Sequence, residues 1–517
     1  MTDVRIITER LGGSALSQLL QRGEAPAEWV DAPPRSVDAW RARAVQRAGE
    51  RSWAQAWSAL EPAFAATGPA AERLRRVRDA GGVVVTTGQQ PGLFGGPVYT
   101  WSKAMGALAL ADAIERETGV TTAAVFWAAT DDADFAEASY SVLARAGGPE
   151  ALESRNAPPA GTPMALTPLG DVSHLLARLH EAAGSAADPR PLRIVDEAYG
   201  DPSRSVGDAY VTVLRQLLEP LGIAVVDASH PAVRDASEAV IRAALREAPA
   251  VERALAERAR AIRAAGLEPQ VEDVAGLSLA FVREGTLKRR VPVSEAAEVA
   301  RRADVWLTPN VLLRPIVEQS ILPTVAYLGG PGELAYFAQA GAVADVLGLT
   351  RPLGLPRWSC TLVEPHVARL LARFQVEPEA LLDADVLEGA VARAAMSEGS
   401  ADALRSLRRA IDALPGALAS EANPLGLGAA VQGSMQSLLH RVDRLERRLV
   451  AGVKRREHQL LRDVATLRAA LHPMRTRQER ALNLIPVLSR HGLALLSEMR
   501  DAAVPHAAAL IGEGGAT

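Results

Sequence analysis

The sequence lacks the residues from which several common sites are built. Cys360 is the only cysteine in 517 residues, which excludes an internal disulfide framework and a zinc site made of several thiolates. Because Cys360 lies in the apolar run RWSCTLVEP, we interpret it as a packed side chain rather than a nucleophile. No G-x-S-x-G motif is present. The nine histidines show no H-x-x-x-H spacing, so we predict no resident metal site.

Long apolar runs and a strong excess of charge are also missing. No stretch approaches the roughly 18 apolar residues of a membrane-spanning helix, and the N-terminus shows no basic segment followed by an apolar one. The formal net charge is −4 and the pI is about 6.2, which gives no sign of a nucleic-acid or membrane partner. We therefore expect a cytoplasmic protein.

Lysine is scarce, since only Lys103, Lys288 and Lys454 occur among 57 basic residues. Lys103 ends the segment GVVVTTGQQPGLFGGPVYTWSK, in which a valine run predicts a buried strand ending at Gly88. Glycines and prolines then predict a loop, and a helix resumes near Val98. Backbone N–H groups at a helix N-terminus attract anions, so this segment predicts a phosphate or carboxylate site. A solvated position for Lys103 on the helix surface remains the alternative.

A second predicted strand, residues 123–129, runs directly into Asp131, Asp132 and Asp134. It completes a strand-loop-helix-strand unit, in which the carboxyl ends of both strands face one crevice. The three acids could bind Mg²⁺, act as a general base, or contact a ribose or an amine. A solvated acidic loop is the alternative.

The strand, glycine turn and helix arrangement recurs at residues 324–337, where Gly329–Gly332 form the turn and Glu333 begins the helix. Asn310 and Arg314 precede this block among apolar residues. A buried arginine needs a partner, and Glu318, Glu333 or a substrate carboxylate are the candidates. A purely structural ion pair at Arg314 is the alternative.

The organisation changes near residue 375, where strand signals cease. Apolar residues then recur in steps of three and four, the pattern of a coiled coil, and helix 401–414 is a candidate antiparallel partner. The seam comprises Leu438, Val442, Leu445, Leu449, Val453, Leu460, Val464, Leu467 and Leu471, with Glu457 as a polar interruption. The remaining predicted elements are a strand at 221–227, one long helix to about 265, and a β-like pair at 277–282 and 289–293.

The blocks GQQPGLFGGPVYTWSK, FWAATDDADFAE, LTPNVLLRPIVEQSILPTVAYLGGPGELAYF, LPRWS and HPMRTRQERALN resemble, in this order, the BshC family of bacillithiol biosynthesis. The resemblance implies an α/β fold: a Rossmann-like parallel-sheet core with inserted connecting segments, plus an α-helical antiparallel coiled-coil domain. The implied boundaries are a core at 1–374 with insertions at about 140–220 and 266–305, a coiled coil at 375–475, and a segment at 476–517 that returns to the core.

The implied activity is that of a carbon–nitrogen, amide-forming ligase, which adds cysteine to glucosaminyl-malate. The resemblance also implies a homodimer formed through the coiled coil. Its implied catalytic residues are Lys103, Asp132, Asp134 and Glu333. Its implied binding residues are Gly88, Gln89, Gln90, Gly92, Thr100, Asn310, Arg314, Gly330, Gly332 and Tyr336.

Amide formation from a carboxylate needs activation, so we expect ATP or another nucleotide, with Mg²⁺ as a possible companion. A K-M-S-K-S signature is missing. The family usually has histidine between the two acids where this chain has Ala133. The alternatives are a non-catalytic or diverged dimeric scaffold that binds a nucleotide or sugar, and a nucleotidyl or glycosyl transferase. We expect Lys103→Ala to abolish turnover and to leave the fold intact.

Overall fold

A computed structural model describes residues 2–50, 53–272, 274–375, 396–456 and 458–512. Its strands are β1 Arg5–Thr8, β2 Val83–Gln89, β3 Thr122–Ala128, β4 Tyr140–Arg145, β5 Gly148–Glu153, β6 Ile223–Asp227, β7 Leu277–Glu284, β8 Leu287–Pro292, β9 Trp306–Pro309, β10 Thr324–Gly329, β11 Gly354–Pro356 and β12 Cys360–Val363.

The α-helices of the first 375 residues are α1 Ala15–Gln21, α2 Val37–Gly49, α3 Trp53–Phe64, α4 Gly68–Ala80, α5 Val98–Thr118, α6 Phe135–Ala138, α7 Ser173–Ala183, α8 Arg190–Tyr199, α9 Val206–Leu218, α10 Pro231–Arg246, α11 Ala248–Ala264, α12 Val293–Val299, α13 Arg314–Ile321, α14 Pro331–Val346 and α15 Pro365–Phe374. The later ones are α16 Glu398–Asp412, α17 Leu414–Ala417, α18 Ala419–Ala422, α19 Gly428–Arg456, α20 His458–Leu471, α21 Gln478–Ala481, α22 Ile485–His491 and α23 Ala494–Ile511. Short 3₁₀ turns lie at Leu93–Gly95, Met164–Leu166, Glu219–Leu221 and Pro473–Arg475.

Within the described residues, five strands form one parallel sheet in the order β11-β10-β2-β3-β6. The β-branched run Val83–Val85 is completely buried, as expected for a strand covered on both faces. β2 and β3 pair in register from Val83 opposite Thr122 to Gln89 opposite Ala128. Their carboxyl ends therefore meet at one edge of the sheet, and the predicted Rossmann-like fold class is confirmed.

The two helices that follow the glycine-rich turns are α5 and α14. Both are apolar around most of their circumference and are buried along most of their length, which is typical of a helix enclosed in a core. α5 is covered by the C-terminal helix α23. Each glycine-rich turn is therefore followed directly by a helix that its burial holds in place.

A second, antiparallel sheet in the order β8-β7-β9 is formed by strands that lie between β6 and β10 in sequence. The sequence predicted β7 and β8 but not β9, which is only four residues long. The long helix predicted to reach residue 265 is two helices, α10 and α11, which meet at Glu247. Pro249 in the first turn of α11 explains the break, because proline cannot donate the backbone hydrogen bond that a continuous helix needs.

The described chain divides into two compact units. One falls within Met1–Leu143, Ala151–Thr361 and Glu479–Thr517, and contains the five-stranded and the three-stranded sheet. The other falls within Ala144–Glu150 and Leu362–Gln478. In the part of the chain that the structure describes, no helix is both long enough and apolar enough to cross a bilayer.

The second unit is built largely from helices. α16 packs against α19, and Arg408 binds both Asp443 and Glu446 at 2.6 Å. Along the predicted seam Val442, Val464, Leu467 and Leu471 are buried, whereas Leu438, Leu445 and Leu449 are exposed. Glu457 and the side chains of Val453 and Leu460 lie outside the described residues.

Candidate functional site

A cavity of about 660 Å³ lies at the carboxyl ends of β2, β3 and β10, within the first unit. Parallel α/β sheets bind ligands at this edge. The predicted site residues that line the cavity are Lys103, Asp132, Glu333, Gly88, Gln89, Gln90, Asn310, Arg314, Gly330, Gly332 and Tyr336. The two strand-turn-helix segments therefore contribute to one shared space.

Three predicted site residues do not line this cavity, namely Gly92, Thr100 and Asp134. Gly92 packs so closely that a Cβ atom there would lie 2.8 Å from the Cα of Gly96. Thr100 is buried in the body of α5. Asp134 instead caps α6, where its side chain accepts a hydrogen bond from the backbone N–H of Glu137. Asp134 therefore stabilises a helix next to the cavity, whereas Gly92 and Thr100 are packed among their neighbours.

The loop that precedes α5 also differs from expectation, because its backbone N–H groups serve the protein itself. Gly95 donates to the carbonyl of Gly92 at 3.1 Å, and Gly96 donates to that of Leu93 at 3.2 Å. Val98 at the start of the helix donates to the carbonyl of Leu482 at 2.9 Å. These donors are satisfied internally, so they are not available to an anion.

Lys103 is buried, with 2% of its surface exposed. Its Nζ lies 2.5 Å from a carboxylate oxygen of Glu333, and it donates to the carbonyl of Gly88 at 2.8 Å and to Oε1 of Gln89 at 3.0 Å. This geometry excludes the solvated alternative for Lys103. The lysine joins the end of β2 to the start of α14.

Glu333 is the counterpart of Lys103 at the second glycine turn. Its carboxylate also accepts hydrogen bonds from the Gly330 N–H at 2.7 Å and from the Tyr327 hydroxyl at 2.5 Å. Burial alone would raise the pKa of Glu333, but Lys103 and these donors outweigh it, so the pKa is lowered. Burial lowers the pKa of Lys103, and Glu333 only partly opposes this.

Arg314 is held by the protein as well as facing the cavity. It binds Glu318 at 2.7 Å and donates to the Tyr336 hydroxyl at 2.9 Å. Of the partners considered from sequence, Glu318 is the one that pairs with it directly. Burial raises the pKa of Glu318, which Arg314 partly opposes, and burial raises the pKa of Tyr336 to about 12.

Asp132 lies at the turn that follows β3. Its Oδ1 accepts hydrogen bonds from the backbone N–H groups of Ala133 at 2.6 Å and Asp134 at 3.2 Å. Burial, followed by the charge of Asp131, raises the pKa of Asp132, while Lys288 acts in the opposite direction. A carboxylate with a raised pKa accepts a proton more readily than an exposed aspartate.

Lys288 is a cavity residue that sequence reasoning missed. It donates to the backbone carbonyl of Asp131 at 2.6 Å, and its Nζ lies 3.7 Å from the carboxylate of Asp131. It reaches the acidic turn from β8, more than 150 positions away in sequence. The scarcity of lysine singled out Lys103, and the same signal applied to Lys288.

Tyr99 and Glu137 also line the cavity and were not predicted. The Tyr99 hydroxyl donates to Glu137 at 3.0 Å, and Gln89 donates to the same carboxylate at 3.0 Å. Gln90 forms a further hydrogen bond with it. Burial and the nearby Glu137 raise the pKa of Tyr99. The two predicted glutamines therefore position Glu137.

Arg290 on β8, Arg357 and Arg480 are further cations of the lining. Arg357 forms a buried two-point ion pair with Glu479, at 2.7 and 2.6 Å. Arg480, the next residue, is exposed. Arg357 and Arg480 belong to sequence blocks named above, LPRWS and HPMRTRQERALN, but nothing in the sequence indicated that these blocks meet.

Two family profiles match consecutive parts of the chain. "Bacillithiol biosynthesis BshC, N-terminal Rossmann-like domain" matches residues 34–358, and "Bacillithiol biosynthesis BshC, C-terminal coiled-coil domain" matches residues 360–510. The chain belongs to the BshC family. The predicted family and both parts of the predicted fold class, including the C-terminal coiled coil, are thereby confirmed.

Curated BshC relatives match most of the chain. A protein of Solibacter usitatus is 30% identical over 505 residues, covering 94% of each chain. One of Koribacter versatilis is 31% identical over 465 residues, covering 84% of this chain and 83% of its own. One of Salinibacter ruber is 28% identical over 459 residues, covering 83% and 82%. Each bears the name "Putative cysteine ligase BshC".

The acids of the BshC cavity do not form a cluster of metal ligands. Among the described residues, no group of three or more histidine, cysteine, aspartate or glutamate side chains is arranged to hold an ion. Asp131 is close to Lys288, whereas Asp132 has no cationic partner at ion-pair distance within the described ranges. The residues therefore do not form a protein-only Mg²⁺ site, whereas a Mg²⁺ ion that arrives with a nucleotide needs only one carboxylate.

Proposed function

We propose that this chain joins cysteine, through its carboxyl group, to the amine of glucosaminyl-malate, the last step of bacillithiol biosynthesis. The proposal rests on membership of a bacillithiol biosynthesis family and on the name of its relatives, cysteine ligase. In this proposal the chain is an amide-forming carbon–nitrogen ligase.

The observation that carries the proposal is the combination of charges in one cavity. Lys103 presents a buried ammonium at the junction of the two glycine turns. Asp132 presents a carboxylate in which Oδ1 takes both backbone hydrogen bonds, while Oδ2 makes none with the described residues. A ligase needs both features, a cation for the activated carboxyl group and a base for the amine.

In the proposed reaction the cysteine carboxylate attacks ATP and becomes either an acyl-phosphate, with release of ADP, or an acyl-adenylate, with release of pyrophosphate. The amine nitrogen of glucosaminyl-malate attacks the acyl carbon, the C–N bond forms, and phosphate or AMP leaves. Asp132 accepts the proton that the amine loses. Lys103 stabilises the negative charge that develops on the leaving group, with Glu333 holding it in place.

The other predicted residues position the substrates in this scheme. Arg314 keeps donors beyond those used by Glu318 and Tyr336, since a guanidinium has five N–H groups, and we assign it to a malate carboxylate. Asn310 and the edge formed by Gly330 and Gly332 line the same space. Any Mg²⁺ would enter with the nucleotide.

We also propose a homodimer formed through the coiled coil. Leu438, Leu445 and Leu449 on α19 are each 40–48% exposed, although they occupy apolar seam positions. A second copy of the same helix would cover them. Sedimentation velocity of the full chain and of Leu445→Glu tests this, and a monomeric wild type would contradict it.

Calorimetric titration of the purified protein with ATP, ADP and glucosaminyl-malate tests the ligase proposal, followed by mass spectrometry of a mixture that also contains cysteine. We expect binding and a product whose mass is that of bacillithiol. Arg260→Met is a matched control, because Arg260 is exposed on α11 and does not line the cavity. Failure to bind all three compounds would refute the ligase proposal.

The cavity-lining Ala133 supports one second candidate, because the family usually has histidine at this position. Under this candidate the chain is a diverged scaffold that binds nucleotide or sugar without turnover. Binding without product, together with full activity after Ala133→His, would favour it.

A further inference from the structure

The segment that follows the coiled coil carries an arginine into the cavity. Arg480 lies on α21 and lines the cavity together with Lys103 and Tyr99. Its side chain is exposed and forms no ion pair with any acidic group in the described ranges. Three other cavity cations differ in this respect, since Lys103, Arg314 and Arg357 each have a carboxylate of the protein at 2.7 Å or less. Lys288 lies 3.7 Å from the carboxylate of Asp131, and Arg290 donates to the carbonyl of Ser278 at 2.7 Å.

The backbone around Arg480 is fixed on both sides. On one side Glu479 is buried and forms a two-point ion pair with Arg357. On the other side the amide of Asn483 donates to the carbonyls of Leu93 and Phe94 at 3.2 Å. Both anchors involve segments next to the cavity, so Arg480 is held at its edge rather than on a freely moving tail.

The neighbours of Arg480 indicate what it can bind. Arg480 and Tyr99 line the same cavity, and the positive charge of Arg480 opposes the rise in the pKa of Tyr99 that burial and Glu137 cause. An arginine that is held in place without a protein anion binds oxyanions well, because its planar donors match a carboxylate or a phosphate.

We propose that Arg480 binds an anionic oxygen group of the substrate, either a carboxylate or a phosphate. This inference names a further binding residue for the proposed function and rests on that function only for the identity of the full substrates. The anion would lie at Arg480, so the C-terminal segment would supply a cation to a cavity that is otherwise lined from the central sheet, the three-stranded sheet and the turns that follow their strands.

Titrations of wild type, Arg480→Met and Arg480→Lys with malate and with pyrophosphate test this directly, and titrations with glucosaminyl-malate and ATP follow. We expect Arg480→Met to weaken one fragment and its parent substrate about tenfold or more, and Arg480→Lys to weaken them less. The fragment affected distinguishes carboxylate from phosphate. Arg260→Met should change no dissociation constant.

Equal binding of every compound by wild type and Arg480→Met would overturn the inference, as would a wild type that binds neither fragment. Fragment binding that depends on Arg480, without binding of glucosaminyl-malate or ATP, would support the inference and refute the proposed function. The thermal midpoint of Arg480→Met should equal that of wild type, because the side chain is exposed. A loss of affinity at an unchanged midpoint is therefore an effect on the site.

Discussion

Lys103→Met is the sharpest perturbation of the site, because it removes the ammonium and keeps the apolar stem. Glu333 then loses its cation but keeps the Gly330 N–H and the Tyr327 hydroxyl. The Gly88 carbonyl loses its side-chain donor. Breaking a fully buried ion pair costs about 3–5 kcal/mol. Two effects make the cost smaller here: Glu333 keeps two hydrogen-bond donors, and the variant no longer pays for burying the lysine ammonium. We therefore expect the free energy of unfolding to fall by about 2 kcal/mol near pH 7.5.

The effect depends on pH in a defined direction. In wild type the pKa of Glu333 lies below its ordinary value of 4.5, so its stabilisation is present above pH 4.5 and is lost as pH falls through the lowered pKa. In Lys103→Met burial is no longer opposed by the ammonium, so the pKa of Glu333 should rise above 4.5. The ionised carboxylate of Glu333 then destabilises the folded variant, and this destabilisation grows as pH rises. The difference in stability between wild type and Lys103→Met should be largest at about pH 7–8. It should shrink toward pH 4, which is about the ordinary pKa of glutamate.

Thermal unfolding of the full chain between pH 4 and 8, followed by circular dichroism, measures this difference. The double variant Lys103→Met/Glu333→Gln should recover part of the lost stability at pH 7.5, because it removes the unpaired carboxylate. A Lys103→Met protein with the wild-type midpoint at every pH would refute the reasoning. The expectation from sequence is that Lys103→Ala leaves the fold intact, and the buried contacts of Lys103 add the prediction that loss of its ammonium lowers the stability of that fold.

Three further outcomes follow from the geometry. Asp132→Asn should lower kcat by a factor of about 10²–10⁴. In wild type the rate should fall with decreasing pH, and the midpoint of this fall should lie above the usual aspartate pKa of 3.8, because the pKa of Asp132 is raised. Lys288→Met should move that acidic limb to higher pH, since the positive charge of Lys288 lowers the pKa of Asp132. Asn483→Leu should destabilise the protein by about 2 kcal/mol, because two carbonyls of the loop before α5 lose their amide donor.

The controls differ for each case. Asp132→Glu should retain partial activity, and a pH profile of wild type without an acidic limb would contradict the role of Asp132. Lys288→Arg keeps the positive charge and should keep the acidic limb of the pH–rate profile near its wild-type position. An unmoved acidic limb in Lys288→Met would show that Lys288 does not lower the pKa of Asp132. For Asn483, thermal midpoints are compared with Arg260→Met, and equal midpoints would disprove the anchoring role.

Local sequence signals predicted most of the central sheet. The valine run at Val83–Val85 specified a buried strand, and the glycine-rich turns after β2 and β10 located the ends from which α5 and α14 begin. These signals succeed because strand propensity and turn chemistry act between neighbours in the chain. One local signal was overlooked at residues 231–264, where composition predicted a single helix although Pro249 divides it.

The sequence by itself determined four strands of the central sheet, the glycine turns and the coiled-coil pattern, and it singled out Lys103. Only the tertiary structure decided what these residues do. Lys103 pairs with Glu333, Lys288 supports the turn of Asp131, and Arg480 reaches the cavity from a segment nearly 400 residues beyond the first glycine turn. The tertiary structure also left Gly92 and Thr100 outside the cavity lining. The physical reason is that burial and ion pairing depend on which distant segments meet, and such contacts leave no periodicity or spacing in the chain.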